Sequence, residues 1–263
     1  MFYGVRGNYL SGIEDWPEAI KDYTQSLALG GDAGYLRLKR GYANAALGNS
    51  AAAEDDLKSA LSVDPTNPST IEDLYSLLLG EGRLPECRTI TAQYEDLASK
   101  QSNNQTTNTA GWLFSLTPTD DTHAEELVKS MRSAVEHSPD DYDLRSTLGS
   151  VLYRSGKYQD AISTLRKGMD LKKLNANETA EGASIDHDQD GTALDWVFLS
   201  MSYCKLHDIP NAKKWLKQVS DKIERINHDP MYEDPNWNWQ WDQSTQLKVL
   251  YDEATTLVEH SSL

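Results

Sequence analysis

Apolar residues recur along most of this chain at helical spacing, and the small residues among them keep a fixed period. The clearest stretch runs from Tyr35 to Gly48, continues through Ala53, Leu57, Ala60, Leu61 and Val63, and stops at Asp64-Pro65. Spacings of three and four predict two amphipathic helices. Gly48 accepts the left-handed cap that ends the first, and Pro65 cannot continue the second. Gly7 and Ala19 precede Gly41 and Ala53 by 34 residues, and the same Gly-to-Ala spacing of twelve returns at Gly149 and Ala161. A self-similar period of this length predicts a helical repeat array. The small residues are expected where the two helices of a pair cross closely.

The rest of the chain follows the same plan with varying fidelity. A first pair carries Gly7, Trp16, Ala19, Ile20, Tyr23, Leu27 and Leu29, although Gly4, Gly7 and Gly12 weaken its opening helix. A strong fifth pair carries Leu144, Leu148, Gly149, Leu152, Gly156, Tyr158, Ala161, Ile162 and Leu165. A sixth carries Trp196, Leu199, Tyr203, Leu206, Ala212, Leu216 and Val219. Between them the signature fades. Helices are predicted over 70–79, 84–99, 107–116 and 122–137, with a polar loop over 100–106. A long acidic loop is expected over 175–191, a turn-rich linker over 229–235, and a capping helix over 238–259. Trp237, Trp239 and Trp241 are read as its anchor.

Positions Gly41, Ala53, Ala60 and Pro65 resemble the tetratricopeptide repeat (TPR). The resemblance implies an all-α, right-handed superhelical solenoid of about six helical pairs plus a C-terminal capping helix. The expected division is two repeats over 1–66, degenerate pairs over 67–140, two further repeats over 141–228 and a linker with capping helix over 229–263. The order of units, with the segment Trp112-Leu113-Phe114-Ser115-Leu116-Thr117-Pro118 before the strong repeat and Asp195 to Met201 after it, resembles the TPR tails of large bacterial Ser/Thr kinases. Kinase motifs themselves are absent.

Composition narrows the function classes. The 263 residues include 41 acidic and 25 basic side chains, a net charge of −16. That field opposes nucleic acid and anionic membrane and suits a basic or mixed-charge protein partner. Two cysteines, Cys87 and Cys204, make no disulfide framework and suit a reducing, cytoplasmic setting. No apolar run approaches the roughly 18 residues of a membrane span.

Candidate chemistry is sparse. No phosphate-binding loop and no Gly-x-Ser-x-Gly elbow occurs, so neither a catalytic residue nor a cofactor is expected. Asp186, Asp188 and Asp190, followed by Gly191, match the first half of a calcium loop. The gripping twelfth position is Val197 rather than Glu, and a solvated insertion competes with a calcium-responsive module. Cys204 and His207 stand three apart but lack a second pair of zinc ligands.

In the TPR family the first helix of each pair lines a groove. The resemblance therefore implies a peptide- or helix-binding surface at Tyr35, Leu38, Lys39, Tyr42 and Ala46, at Ser146, Ser150, Tyr153 and Arg154, and at Val197, Met201, Cys204 and Lys205. Packing of Tyr42 and Tyr153 against a neighbouring repeat is the competing role. Asn8 matches one asparagine of the carboxylate clamp of chaperone-binding TPRs, while Gly4 and Lys39 depart from it. The reading is a non-catalytic protein–protein interaction scaffold, with a kinase regulatory tail as its rival.

Overall fold

The computed structural model describes residues 2–101, 103–118, 124–178, 192–228 and 241–261. Among these residues there are thirteen helices and no strand: α1 (Phe2–Gly12), α2 (Trp16–Ala28), α3 (Ala33–Ala46), α4 (Ser50–Val63), α5 (Pro68–Gly80), α6 (Leu84–Gln101), α7 (Asn104–Leu116), α8 (Ala124–His137), α9 (Tyr142–Arg154), α10 (Tyr158–Glu178), α11 (Ala193–Lys205), α12 (Ile209–His228) and α13 (Trp241–His260). They form six consecutive pairs and one terminal helix, as the periodicity predicts. The chain divides into two compact units, Met1–Ile90 with Trp239–Thr245, and Thr91–Asn238 with Gln246–Leu263.

The boundaries follow from local chemistry. The first helices of five pairs start at a side-chain cap. Asp32, Asn67, Asn103, Asp141 and Thr192 accept from the backbone N–H of Tyr35, Thr70, Thr106, Leu144 and Asp195. These bonds satisfy donors that a helix start would otherwise leave open. Gly48 adopts φ 84°, the left-handed conformation its position requires. His207 ends α11 at φ 61°, so a non-glycine residue takes the same cap, and His207→Gly is expected to raise stability by about 1 kcal/mol in a urea melt.

Two expectations about loops need correction. The polar run over 100–106 is mostly helix end and helix start, because Gln101 closes α6 and Asn103 caps α7. The loop expected from residue 175 starts later, since α10 continues to Glu178. The remainder of that segment, and the linker over 229–235 with Trp237 and Trp239, lie outside the described residues.

The 34-residue period reports close packing, but the partner of each glycine is not the alanine twelve residues on. A Cβ on Gly7 would meet the Tyr23 ring at 2.7 Å, one on Gly41 the Leu57 side chain at 2.9 Å, and one on Gly149 the Leu165 side chain at 2.5 Å. Each glycine thus faces the residue sixteen further along. Ala19, Ala53, Ala161 and Ala212 are fully buried beside these crossings. In the sixth pair the Ser200 hydroxyl donates to the Ala212 carbonyl at 2.8 Å. Gly149→Ala is therefore expected to cost about 1–3 kcal/mol by overpacking against Leu165, read as a lowered denaturation midpoint at unchanged m-value.

A second element of the repeat escaped the hydrophobic pattern. The Arg6 guanidinium donates to both oxygens of Asp22 at 2.5 and 2.6 Å, and Arg40 does the same to Asp56 at 2.8 and 2.7 Å. The two pairs are offset by the same 34 residues. Each ties the first helix of a repeat to the second, and Arg6 holds the Asp22 carboxyl below its ordinary range.

Candidate functional site: the first-helix faces

In the first unit the expected surface is partly open. Tyr35 is exposed, and its hydroxyl accepts from Asn8 Nδ2 at 2.8 Å. The same amide accepts the Tyr23 hydroxyl at 3.0 Å, so Asn8 is engaged within the fold rather than presented as a clamp. The Lys39 ammonium lies 5.7 Å from the centre of the Tyr35 ring. Leu38 and Ala46 are half-buried. Tyr42 is enclosed by aromatic rings, with Trp16 at 5.9 Å and Trp241 at 6.4 Å between centroids. Its hydroxyl accepts the backbone N–H of Trp241 at 3.2 Å. Burial pushes the Tyr42 phenol well above its ordinary range.

Beside it lie two acidic side chains. Asp73 of α5 is 7% exposed and Asp242 of α13 is 9% exposed. Burial raises both carboxyls above their usual range, and the negative charge of Asp242 adds to the effect at Asp73. Oδ1 of Asp242 is buried without a hydrogen-bond partner among the described residues. Sequence reading missed this pair because the two residues stand 169 positions apart.

In the second unit most residues of the expected groove are covered within the fold. Ser150, Tyr153 and Met201 are buried, as are Val197 and Cys204. Ser146 and Tyr142 donate their hydroxyls to the buried Asp195 carboxylate, which also caps α11. Arg154 is the centre of the arrangement. Its Nη atoms donate to both oxygens of Glu253 at 2.5 and 2.7 Å, and Nε donates to the Ser115 carbonyl at 2.8 Å. The guanidinium carbon lies 5.3 Å from the Tyr153 ring centre and 5.8 Å from that of Phe198.

The occupant of this face is α13. Trp112 Nε1 on α7 donates to Gln246 Oε1 at 3.1 Å, Arg154 on α9 holds Glu253, and Cys204 Sγ on α11 lies 3.6 Å from the Leu257 carbonyl oxygen. Leu247, Leu250, Ala254 and Val258 are buried at helical spacing. The terminal helix therefore spans three first helices of this unit and is not confined to capping the last pair. Lys205 stays exposed at its margin. There Tyr153, Lys205, Asp252, Glu253, Thr256 and Leu257 line a depression of about 420 Å³.

Other expectations concern metals and thiols. Asp186, Asp188 and Asp190 lie outside the described residues. Among the described residues no group of three or more His, Cys, Asp or Glu side chains is arranged to hold a metal ion. Cys87 and Cys204 are both buried and not joined in a disulfide, and burial pushes the Cys87 thiol up to about 11. No helix among the described residues is long and apolar enough to cross a membrane.

Known proteins place this architecture. Residues 5–68, which span the first two helical pairs, match the tetratricopeptide repeat family model. The fold class, all-α pairs of the TPR solenoid type, is shared with a thermophilic TPR protein of Thermus thermophilus. That similarity has 16% identity and a TM-score of 0.51, and covers 85% of this chain and 99% of that one. A tetratricopeptide repeat protein from Parabacteroides merdae is also similar, with 14% identity, a TM-score of 0.49, and coverage of 94% of this chain and 97% of that one. No curated protein matches the sequence.

Proposed function

We propose that this chain is a non-catalytic protein–protein interaction scaffold that engages a peptide segment or partner domain through the first-helix face of its N-terminal repeats. The supporting observation is the Tyr35–Lys39 pair on α3. An exposed aromatic ring is fixed at its hydroxyl by Asn8, with an ammonium above its face. A rigid aromatic next to a cation is the kind of anchor that carries binding energy at interfaces. Lys39 supplies a contact for an acidic residue of the partner, while the net charge of −16 favours a partner that is otherwise basic or of mixed charge. The proposed setting is cytoplasmic, which suits two buried cysteines that form no disulfide. The kinase-tail likeness rests on unit order alone.

The test is affinity capture with the full chain, followed by measured affinity for the captured partner. Tyr35→Ala and Lys39→Glu are each expected to weaken binding about tenfold or more, and Lys205→Glu to leave it unchanged. Equal affinity for all three variants and the parent would remove the N-terminal face from consideration.

A further inference from the structure

One side of α1 is packed and the other is bare. Gly4 faces Ser26 and Leu36, Gly7 faces the Tyr23 ring, and Leu10 packs on the cluster of Ala19, Tyr23, Leu36 and Ala43. Phe2, Val5 and Tyr9 fall on the opposite side at helical spacing, with Ile13 just past the helix end. They are 68, 66, 67 and 56% exposed. We infer that this apolar stripe is the interface of a homodimer, in which the α1 helices of two copies pack antiparallel across a two-fold axis near Val5. The inference is independent of binding at Tyr35 and Lys39.

The repeat period locates this face. Five residues before the crossing glycine and two after it stand Phe2 and Tyr9 in the first repeat, Leu36 and Ala43 in the second, and Leu144 and Val151 in the fifth. All four later residues are buried, and Leu36 and Ala43 lie against Ala19 and Tyr23 of the preceding pair. The stripe therefore occupies the side on which one repeat stacks on another. Asn8, which meets Tyr35, lies about 100° round the helix from Tyr9. Among the described residues nothing covers the stripe. Its side chains also differ from those of a stacking side. The Tyr9 ring stands where the later repeats have alanine or valine, so a further repeat could not approach as closely there. A different occupant fits.

Charge, symmetry and rigidity select a second copy. With a net charge of −16, two copies repel each other over most of their surface. Phe2–Gly12 carries one charged side chain, Arg6, and Asp22 already holds both ends of its fork. Two copies lose least by meeting here, whereas a basic partner gains nothing. Phe2 stands three residues before Val5 and Tyr9 four after it. Antiparallel packing sets Phe2 of each copy beside Tyr9 of the other, which is the self-complementarity an isologous interface requires. The Phe2 ring is already held in place. The Arg6 guanidinium carbon lies 5.4 Å from its centre, and the Tyr3 ring meets it edge-on at 5.6 Å. A fixed ring lowers the ordering cost of association. The four side chains offer apolar surface on the order of 450 Å² per copy. A pair then buries roughly 1,000 Å², at the small end of specific interfaces, which sets a weak and concentration-dependent dimer.

Sedimentation velocity of the full chain from about 1 to about 300 μM tests this, because a weak dimer forms by mass action. The mass is expected to rise with concentration from that of one chain toward that of two. Val5→Asp places two carboxylates near the axis and is expected to weaken the dimer at least tenfold. Tyr9→Ser is expected to weaken it at least threefold, and Tyr35→Ala and Lys39→Glu to leave it unchanged. Raising NaCl from about 0.05 to about 0.5 M is expected to tighten it, since salt screens the repulsion between copies. A Val5→Cys chain is expected to form a covalent dimer with diamide, while the parent, whose two cysteines are buried, forms none. If Val5→Asp lowers helicity by circular dichroism, Tyr9→Ser decides in its place. A parent that stays monomeric over the whole range would overturn the inference. A dimer that Tyr9→Ser and folded Val5→Asp leave intact would also overturn it, by placing the contact elsewhere.

Discussion

Replacing Arg154 by methionine is expected to lower the stability of the chain by about 3 kcal/mol and its melting temperature by about 8 °C. The side chain is nearly inaccessible, donates to both oxygens of Glu253 and to the Ser115 carbonyl, and lies against Tyr153 and Phe198. Methionine retains much of the volume and none of the donors. Glu253 and the Ser115 carbonyl would both lose their cationic partner in a largely dry setting. Lysine is expected to do little better, since a single ammonium cannot span two carboxylate oxygens and a carbonyl. The double variant Arg154→Met with Glu253→Met is expected to recover much of the loss, because it removes the stranded charge as well. Guanidinium melts of the four chains give the comparison. A loss below about 0.5 kcal/mol in Arg154→Met would mean that the ion pair is decorative.

Acidification from pH 7.5 to about 5 is expected to raise stability, with Asp73→Asn abolishing much of the rise. Asp73 and Asp242 both hold their protons above the usual carboxylate range because burial disfavours their charged forms. Asp242 and Glu72 add repulsion at Asp73, while Lys39 partly offsets it. The unfolded chain releases these protons near pH 4. Above that value the folded chain binds more protons than the unfolded one, so stability falls as pH rises. Glu54 works in the opposite direction. Arg83 and then Lys58 hold its carboxyl down to about 2, so its contribution is present at neutral pH and is lost as pH falls from about 4 toward 2. Asp22 and Glu86 are lowered as well, each by its arginine. The two groups of carboxyls therefore pull the pH of maximum stability in opposite directions, the buried aspartates toward acid and the arginine-paired carboxylates away from it. Asparagine at position 73 is expected to add about 1–3 kcal/mol at pH 7.5 by removing a buried charge. Thermal melts of the parent and Asp73→Asn at pH 4.5 and 7.5 decide it, and parallel pH slopes would contradict it.

Elements within one repeat were legible because their causes are local. Gly48, Pro65 and the spacing of Leu57, Ala60 and Leu61 follow from caps and helical period, and they fall where expected. Position-specific pairing was less legible. The glycine-to-alanine interval of twelve is visible in the letters, yet the contact runs from Gly41 to Leu57 and from Gly149 to Leu165. The Arg6–Asp22 and Arg40–Asp56 pairs carry the period in charge rather than hydrophobicity, so a search for apolar recurrence passes over them. The face at Ser150, Tyr153, Arg154 and Met201 was placed on the correct helices, but its cover came from residues about a hundred positions away. Nothing in the local pattern of α13 announces where that helix docks. Its amphipathic stripe would serve equally well to close the last pair.

The long separations in these contacts have a temporal side. Within each pair the helices meet across a short turn, and such contacts form quickly because little chain must be ordered first. The bond from Trp241 to Tyr42 spans 199 residues, that from Trp112 to Gln246 spans 134, and the Arg154–Glu253 pair spans 99. On the ribosome, α3, α7 and α9 emerge well before α13 has been made. Their faces stay bare for that interval, with Tyr153 and Arg154 lacking the helix that meets them. At the roughly 5–20 residues per second of translation the exposure lasts several seconds or more, long enough for another helix to settle there first.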